Sequence, residues 1–384
     1  MHISAAEAND SAFLAKMDSV EISVLTCQPH DQVYSLYGHT ALRIHDLRTG
    51  KDVAVNFGVF DTTKDYFVVR FVFGLTDYMM AMYDFTDFLA EYRYYGSGVY
   101  QQRLNLDARQ KANVLMILAE NAKPENVVYR YNFYYNNCTT RIRDVIFEAV
   151  GYTDSPMTEQ PLKDTFRDLI HEKNEEHPWA RFGNDILLGV GSDFVATYRE
   201  SEFIPDRMMK HLEQMELDRD RLDGKPRPMV DTAYWVLQPG VPYHSDEPDF
   251  PLMPWQCAMV LLCAILAFVV IERYVVGKPL LWMTYVVSVL FGLLGLLLLM
   301  MVFSKHPTVR VNLQIFIFNP MLLVLAFPKL RWKYCWHVVL ACCIAFFLGN
   351  AIQCYAEGMN VLALGLTIIA LNRLFPVKVA SSNA

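Results

Sequence analysis

The chain has 384 residues, a formal net charge of −7 at pH 7 and 53% hydrophobic residues. This acidic balance, without a basic run interleaved with aromatic residues, excludes a general nucleic-acid-binding protein. Charged residues concentrate before residue 250 and become rare after it. The sequence therefore predicts a water-soluble N-terminal part that is followed by a membrane-embedded C-terminal part.

The N-terminal part begins with segments typical of β-strands. Residues 1–19 are polar and alanine-rich and predict a peripheral segment. Residues 20–26 alternate as a β-strand does, and a second strand begins at His39. After a glycine-containing turn, residues 53–60 predict the hairpin partner of that second strand. Asn56 approaches His39 in this hairpin if the register permits, and the sequence alone does not fix the register.

An aromatic-rich segment comes next. Residues 66–103 are rich in tyrosine, phenylalanine and methionine and predict aromatic strands with a helix near residues 86–94. Many of these side chains are expected in the core, and some are candidates for an apolar groove that takes a lipid tail. Asp107 is a predicted N-cap for an amphipathic helix that ends near Asn121.

The most informative segment is a predicted helix that begins near Cys138. Either Asn136 or Asn137 is suited to cap its N-terminus, and Gly151 is suited to end it. A thiol in the first turn lies beside unpaired backbone N–H groups and the positive end of the helix dipole, which favours the thiolate. The helix continues with an apolar stripe at the spacing of one buried face. This stripe comprises Ile142, Val145, Ile146 and Ala149.

Cys138 is therefore a candidate nucleophile, although a thiol on an apolar face is also compatible with a small core residue. Acyl transfer through cysteine needs an imidazole that moves protons and a polar group that orients the imidazole. His39 and Asn56 supply these groups, in an arrangement like that of papain with the histidine before the cysteine. His30 and His45 are the rival histidines.

The C-terminal part predicts a membrane domain. Residues 151–250 read as a polar helical extension and linker, with several prolines between short helical pieces. Residues 251–375 predict about five transmembrane helices, and residues 376–384 predict a tail. The first, second and fourth apolar blocks have the length of a membrane span, whereas the third and fifth are short and are compatible with a tilted span, a re-entrant segment or a span extended into flanking residues. The blocks are residues 254–276, 279–303, 312–327, 334–353 and 359–374.

The basic residues predict the orientation of these spans, because Lys and Arg favour the cytoplasmic side. With the N-terminal part outside, the predicted inner loops and tail carry Arg273, Lys278, Lys329, Arg331, Lys333, Arg373 and Lys378. The predicted outer loops carry only Lys305 and Arg310. Export requires a secretory signal, and residues 1–20 hold no apolar segment of that kind. We therefore expect that a signal peptide was removed or replaced.

The positions of the cysteines decide which residues could form a disulfide with Cys138. Only Cys27 and Cys138 lie in the predicted soluble part, and the other cysteines lie in or beside predicted spans. An exported domain permits a disulfide between these two residues. The neighbours of Cys138 favour a reactive thiol instead. No cysteine cluster has the paired spacing of a zinc site.

Four motifs resemble a known family. They are residues 25–29 (LTCQP), 34–43 (YSLYGHTALR), 55–61 (VNFGVFD) and 135–144 (YNNCTTRIRD). Together they resemble the Lnb N-terminal periplasmic domain family, which includes a lipoprotein N-acyltransferase of Bacteroides-type bacteria. The resemblance covers residues 20–150, and the predicted membrane spans agree with it. The Asn-Cys pair that opens a helix is also similar to the permuted NlpC-like group, which includes lecithin retinol acyltransferase.

The resemblance implies an α+β catalytic domain of permuted NlpC-like (papain-like) fold over residues 20–150, followed by the all-α transmembrane domain. It implies Cys138 as the nucleophile and His39 as its base, on the periplasmic side of the inner membrane. Asn56 is the expected third residue, with His45 and Asp61 as rivals.

The implied reaction transfers an acyl chain from a phospholipid, through a Cys138 thioester, to the α-amine of a diacylated lipoprotein, without a metal or dissociable cofactor. Guanidinium groups make paired hydrogen bonds to phosphate or carboxylate, so the arginines are candidates for binding these groups. The expected substrate-binding residues are Arg43, Tyr37, Asn137, Arg141 and Arg143. Arg141 or Arg143 has the alternative of pairing with Asp144.

Two other functions are compatible with the same sequence. A cell-wall peptidase or amidase of the NlpC type uses the same Cys–His pair and needs an open polar groove. A non-enzymatic membrane protein that kept the fold needs neither residue.

Overall fold

The computed structural model describes residues 11–60, 66, 69–70, 73–152, 159–219, 226–241, 250–327, 329 and 331–376. The chain divides into two compact units. The first comprises residues 1–163 and 195–248, and the second comprises residues 164–194 and 249–384. Asp61, one rival for the third catalytic position, lies outside the described residues.

The first unit alternates strands and helices. Up to residue 165 the elements are α1 (Ser11–Met17), β1 (Val20–Cys27), β2 (His39–Asp46), β3 (Lys51–Val59), β4 (Asp77–Asp84), α2 (Phe85–Tyr94), β5 (Val99–Leu104), α3 (Ala108–Asn121), β6 (Val128–Arg130), α4 (Cys138–Val150) and β7 (Pro161–Thr165). The second unit then contributes α5 (Phe166–Asn174) and α6 (Pro178–Leu187). The remaining elements of the first unit are β8 (Val195–Thr197), α7 (Tyr198–Ser201), α8 (Pro205–Gln214), β9 (Glu216–Arg219), β10 (Pro226–Pro228) and β11 (Val230–Leu237).

A seven-stranded antiparallel sheet organises the first unit, with strand order β11-β5-β1-β2-β3-β4-β6. The predicted hairpin of β2 and β3 is confirmed, and its register places Asn56 opposite Ala41. His39 lies two residues before Ala41, and side chains two apart share a sheet face. The register therefore brings His39 and Asn56 to one face at the start of β2.

The two faces of the sheet are covered by different helices. One face packs against α3, α4 and α8, and its core contains Ile22, Leu42, Val55, Phe57, Ile142, Val145, Ile146 and Leu212. The other face packs against α2, and its core contains Leu25, Cys27, Ala41, Ala54, Phe88 and Tyr92. The apolar stripe predicted for the cysteine helix is thus buried against the sheet, which fixes the helix beside β2 and β3.

Residues 151–250 do not form the separate helical extension that the sequence predicts. β11 pairs with β5 and is an edge strand of the main sheet, whereas α5 and α6 belong to the second unit. The aromatic and β-branched residues of β11 are a strand signal. The prolines around it conceal this signal in the sequence.

The second unit contains the apolar helices. They are α9 (Pro254–Val270), which continues as a π-helix over Ile271–Val276, α10 (Trp282–Val302), α11 (Leu322–Leu325), α12 (Cys335–Gly349) and α13 (Met359–Leu374). Within the described residues, Pro254–Val276 and Trp282–Val302 are long and apolar enough to cross a membrane. The helices α12 and α13 are apolar but shorter.

Residues 312–327, the short third apolar block, do not form one continuous helix. This segment holds a 3₁₀ turn at Leu313–Phe316 and the short α11. Pro320 lies between them and lacks the N–H that a continuous helix needs. The side chain of Asn319 accepts a hydrogen bond from the backbone N–H of Met321 at 2.9 Å, which starts a new turn.

Buried polar contacts join α5 and α6 to the apolar part of the second unit. Arg167 is only 1% exposed and forms ion pairs of 2.7 Å with Asp185 and with Asp193. The amide of Gln314 donates to the backbone carbonyl of Asp185 at 2.7 Å. At Gly189 an added Cβ would lie 2.2 Å from the carbonyl oxygen of Val311, so only glycine permits this approach. The glycine-rich turn after α6 therefore has a structural role.

Candidate active site

The sequence places Cys138 at the first position of α4 through a capping box. Asn137 Oδ1 accepts from the backbone N–H of Thr140 at 2.9 Å, and Thr140 Oγ1 accepts from the backbone N–H of Asn137 at 2.8 Å. Gly151 ends the helix in the left-handed conformation with φ 68°. Both predicted helix limits are thus confirmed. The thiol consequently lies at the positive end of the helix dipole.

The side chain of Asn137 holds the start of this helix in place. Its Nδ2 donates to the carbonyl of Phe133 at 3.0 Å and to that of Phe203 at 2.8 Å. The residue is only 5% exposed. Asn137 also lines the cavity that opens onto Cys138, but both ends of its amide are used within the protein, so its expected role in binding substrate stays a prediction.

His39 links Asn56 to Cys138. His39 Nε2 and Asn56 Oδ1 are 2.9 Å apart, and the imidazole also hydrogen-bonds the thiol of Cys138. Since Nε2 faces an amide oxygen, it carries a proton, and Nδ1 remains for the sulfur. In this arrangement one ring nitrogen bonds a carbonyl oxygen and the other bonds the thiol. An imidazole held in this way can take a proton from a nucleophile.

A second contact between strand and helix sets the position of the thiol. Thr40 Oγ1 and Thr139 Oγ1 are 3.0 Å apart in a buried hydrogen bond. The backbone of Thr40 also hydrogen-bonds the sulfur of Cys138. The first bond joins the residue after His39 to the residue after Cys138, and the second joins Thr40 to Cys138 itself. The two reactive side chains are therefore held together through Thr40 and Thr139, their neighbours in the chain.

The electrostatic environment favours a charged pair. Burial raises the pKa of Cys138, but the charge of His39 and hydrogen bonds from His39, Thr40 and Thr139 together lower that pKa to about 7. Burial lowers the pKa of His39, yet the charge of Cys138 and the bonds to Cys138 and Asn56 give a net rise. A thiolate beside an imidazolium is therefore well populated near neutral pH.

This ion pair predicts the pH dependence of thiol alkylation. With its pKa lowered to about 7, Cys138 is protonated below that pH and thiolate above it, so its reaction with iodoacetamide rises with a midpoint near pH 7. Peptide mass spectrometry of the full chain measures the rate at Cys138. His39→Ala removes the imidazolium and moves the midpoint upward, towards the ordinary thiol range of about 8.5. A wild-type midpoint already in that ordinary range contradicts the ion pair.

Because Gly58 has no side chain, the imidazole of His39 fits close beside it. In the β2–β3 register Asn56 pairs with Ala41, so Gly58 falls opposite His39. An added Cβ would lie 3.0 Å from His39 Cε1 and 3.8 Å from Cys138 Cβ. Sequence reasoning did not single out Gly58, although its position two residues after Asn56 on the same strand face is the available signal.

A cavity of about 220 Å³ opens onto the thiol and the imidazole. Tyrosine and phenylalanine form a large part of its wall: Tyr34, Tyr37, Phe60, Tyr78, Tyr92, Tyr131, Phe133 and Phe203. Tyr37, an expected substrate-binding residue, packs edge-on against Phe133 with ring centroids 4.8 Å apart. Tyr78 and Tyr92 come from the aromatic-rich segment, of which other members such as Phe85 and Phe88 are core residues. Among the described lining residues Glu91 is the one carboxylate, and none is lysine or arginine.

Arg43 does not line this cavity. Its guanidinium donates to both carboxylate oxygens of Asp52 at 2.8 and 2.6 Å, donates to Gln101 Oε1 at 2.8 Å, and lies over the ring of Phe85. Arg43 is four residues along β2 from His39, or roughly 13 Å at the rise of a strand. These contacts of Arg43 are structural, and its expected role in binding substrate stays a prediction.

The other two arginines also have partners away from the cavity. Arg141 donates to Asn136 Oδ1 at 2.6 Å and lies over the ring of Tyr129. Arg143 pairs with Asp144 at 2.8 Å, which is the alternative that the sequence left open. Neither lines the cavity, so their positions do not support the expected role in binding substrate.

The remaining sequence candidates are also located. Cys27 and Cys138 are both free thiols, and Cys27 is buried. His45 lies opposite Asp52 in the hairpin register, away from the thiol. His30 lines the cavity and stacks on Tyr95 with ring centroids 3.8 Å apart. Of the described histidines, His39 is the one that hydrogen-bonds Cys138.

The site contains a thiol, an imidazole and an amide joined by hydrogen bonds, and the same chain carries apolar helices of membrane-spanning length. These features define a membrane protein with a candidate cysteine-nucleophile site. The chain belongs to the Lnb family. Residues 12–172 match the Lnb N-terminal periplasmic domain, and residues 245–378 match the Lnb transmembrane domain. Comparison with curated proteins and with solved structures gave no match. The family resemblance of the four motifs is thus confirmed, and the protein is a membrane protein with a periplasmic N-terminal domain.

Proposed function

We propose that the protein is a lipoprotein N-acyltransferase. The observation that carries this proposal is the hydrogen-bonded series Asn56, His39 and Cys138 at an aromatic cavity. Membership of the Lnb family suggests a lipoprotein-modifying membrane enzyme. The acyl donor is a phospholipid, and the acceptor is the α-amine of a diacylglyceryl-cysteine at the N-terminus of a lipoprotein.

In the first half-reaction the thiolate of Cys138 attacks the carbonyl carbon of a phospholipid ester. A C–S bond forms and the carbonyl oxygen becomes an oxyanion. Backbone N–H groups in the first turn of α4 stabilise this charge, because helix-start N–H groups lack carbonyl partners within the helix. The ester C–O bond then breaks, and the imidazolium of His39 gives its proton to the departing lysophospholipid oxygen. A thioester on Cys138 remains.

In the second half-reaction the neutral α-amine of the acceptor attacks the thioester carbon. His39, now a neutral imidazole, takes a proton from the attacking nitrogen. The C–S bond breaks, and an amide and the Cys138 thiolate are the products. Asn56 keeps the imidazole aligned through both proton transfers by accepting from Nε2.

The aromatic wall and the membrane domain support lipid substrates. Tyrosine and phenylalanine rings give an apolar surface that suits an acyl chain. A membrane domain keeps the enzyme in the plane in which both substrates diffuse, which raises their effective concentration. Under this proposal the catalytic domain works at the periplasmic face of the inner membrane, with the C-terminus cytoplasmic as the basic residues predict.

Mass spectrometry of lipoprotein N-termini tests the proposal directly. Lipoproteins are isolated from bacterial cells that express the full chain and from otherwise identical cells that lack it. The expected result is one additional acyl chain, amide-linked to the N-terminal cysteine, only in the presence of the protein. An unchanged acyl number overturns the proposal. Cleaved cell-wall peptides in place of acylated lipoproteins would identify a hydrolase of the NlpC type.

A further inference from the structure

The cavity contains a carboxylate that the acyl-transfer steps do not use. Glu91 lines the same cavity as Cys138 and His39. No hydrogen bond or ion pair links its carboxylate to a side chain elsewhere in the described part of the protein. The described lining includes no lysine or arginine, and its one cationic group near Glu91 is the imidazolium of His39, which is already paired with the Cys138 thiolate.

The position of Glu91 is fixed by the helix that carries it. Phe88 and Tyr92 of α2 are 4% and 7% exposed and anchor the helix on the sheet. Glu91 precedes Tyr92 in the last turn of α2, and it is exposed. The carbonyl groups of Glu91, Tyr92 and Arg93 at the end of α2 accept hydrogen bonds from the backbone N–H groups of Tyr95, Ser97 and Gly96. The Glu91 carboxylate is therefore the group that favours a cation at this side of the cavity.

The charge of Glu91 also acts on the reactive pair. It contributes to the raised pKa of His39, after the larger effects of burial, Cys138 and Asn56. It acts likewise on Tyr34 and Tyr92, which also line the cavity. Tyrosine rings attract cations through their π faces. A cationic group held by Glu91 would thus lie among aromatic rings and near the acyl-transfer site.

We propose that Glu91 binds the primary ammonium group of a substrate in this cavity. Two substrates of the proposed reaction carry such a group, and the inference rests on that reaction. One is the acceptor, whose N-terminal α-ammonium must reach the thioester. The other is a phospholipid donor with an ethanolamine headgroup. In either case Glu91 selects the substrate, and Cys138 and His39 carry out the chemistry.

Direct binding tests this proposal without relying on catalysis. The full chain with Cys138→Ala, in detergent micelles, is titrated with four fluorescent ligands. They are a diacylglyceryl-cysteine peptide with a free α-amine, its N-acetylated form, a short-chain phosphatidylethanolamine and its N-acetylated form. Each pair differs in the ammonium charge while keeping the lipid chains. Thermophoresis gives the dissociation constants.

The expected result is that Glu91→Gln weakens binding of at least one free-amine ligand about tenfold, as a lost charged hydrogen bond predicts, and leaves its acetylated partner unchanged. The ligand affected identifies the source of the ammonium group. Asp87→Asn is the matched control, because it removes the same charge from an exposed position of the same helix outside the cavity lining. It is expected to leave all four constants unchanged.

Equal binding of free and acetylated ligands by the protein with Glu91 overturns the inference. An equal loss for all four ligands in Glu91→Gln also overturns it, since that pattern reports a distorted cavity. These results are independent of acyl transfer. If lipoproteins gain no acyl chain while Glu91 still discriminates the ammonium ligands, the proposed reaction fails and the ammonium site stands.

Discussion

Replacement of Cys138 by serine is expected to lower the rate of lipoprotein acylation by at least about 10³-fold, as for other nucleophile substitutions. The pKa of Cys138 is lowered to about 7, so the wild-type nucleophile is substantially ionised at neutral pH. A serine hydroxyl is not ionised there, and the charge stabilisation by His39 is lost with the thiolate. Quantitative mass spectrometry of an acylated lipopeptide, made by the purified full chain in phospholipid vesicles, measures the rate.

Cys27→Ala is the matched control for this substitution. Cys27 is the other free thiol of the first unit that the structure describes, and it is 1% exposed in the core under α2. Removing its sulfur is expected to cost roughly 1 kcal/mol of stability and to leave acylation within a few-fold of wild type. In the wild-type chain the intact mass should also show an acyl adduct on Cys138 that hydroxylamine removes. Full activity of Cys138→Ser would exclude a covalent thioester mechanism.

The parts of the site set by local chemistry were predictable from the sequence. The sequence predicted Asn136 or Asn137 as the N-cap of α4 and Gly151 as its end, and the structure shows Asn137 and Gly151 in these positions. The apolar stripe predicted the buried face because a helix repeats every 3.6 residues. The pairing of His39 with Asn56 needed one further fact, the hairpin register, which is set across two strands.

Contacts with residues far away in the chain were not predictable from local sequence. An arginine in a sequence can bind substrate or another side chain, and only the fold brings Asp52 and Gln101 to Arg43. Likewise β11 joins the sheet by pairing with β5, more than a hundred residues earlier in the chain. In the second unit the apolar composition of residues 312–327 left a tilted, re-entrant or extended segment equally open. The structure shows a 3₁₀ turn and a short helix on either side of Pro320.

The site is assembled from three short backbone segments, two of which begin a strand or a helix. His39 is the first residue of β2, Cys138 is the first residue of α4, and Asn56 lies near the end of β3. Boundaries place side chains at the edge of the core, where they meet both a rigid scaffold and a solvent-connected cavity. The Thr40–Thr139 bond keeps two of these boundaries together. Small changes in backbone spacing at this point should therefore alter catalysis more than stability.

Gly58→Ala tests this sensitivity and is expected to lower acylation about 10²-fold, the effect of misplacing a catalytic group by a fraction of an ångström to about 1 Å. The new Cβ lies 3.0 Å from His39 Cε1 and 3.3 Å from Asn56 Oδ1, closer than ordinary van der Waals contact. The imidazole must therefore shift away from its bonds to Asn56 and Cys138. Loss of these bonds raises the pKa of Cys138, so the midpoint of iodoacetamide alkylation should move upward with the loss of activity.

Gly183→Ala is the matched control, because an added Cβ at Gly183 in α6 meets nothing within 4 Å. It should leave both acylation and alkylation unchanged. Thermal unfolding separates misfolding from a displaced imidazole, since overpacking in a fold of this kind costs about 1–3 kcal/mol, which leaves the protein folded at assay temperature. If Gly58→Ala stays folded and keeps wild-type acylation with a midpoint near pH 7, the imidazole is not held by the close approach of β3, and the His39–Asn56 contact is not what sets the reactivity of the thiol.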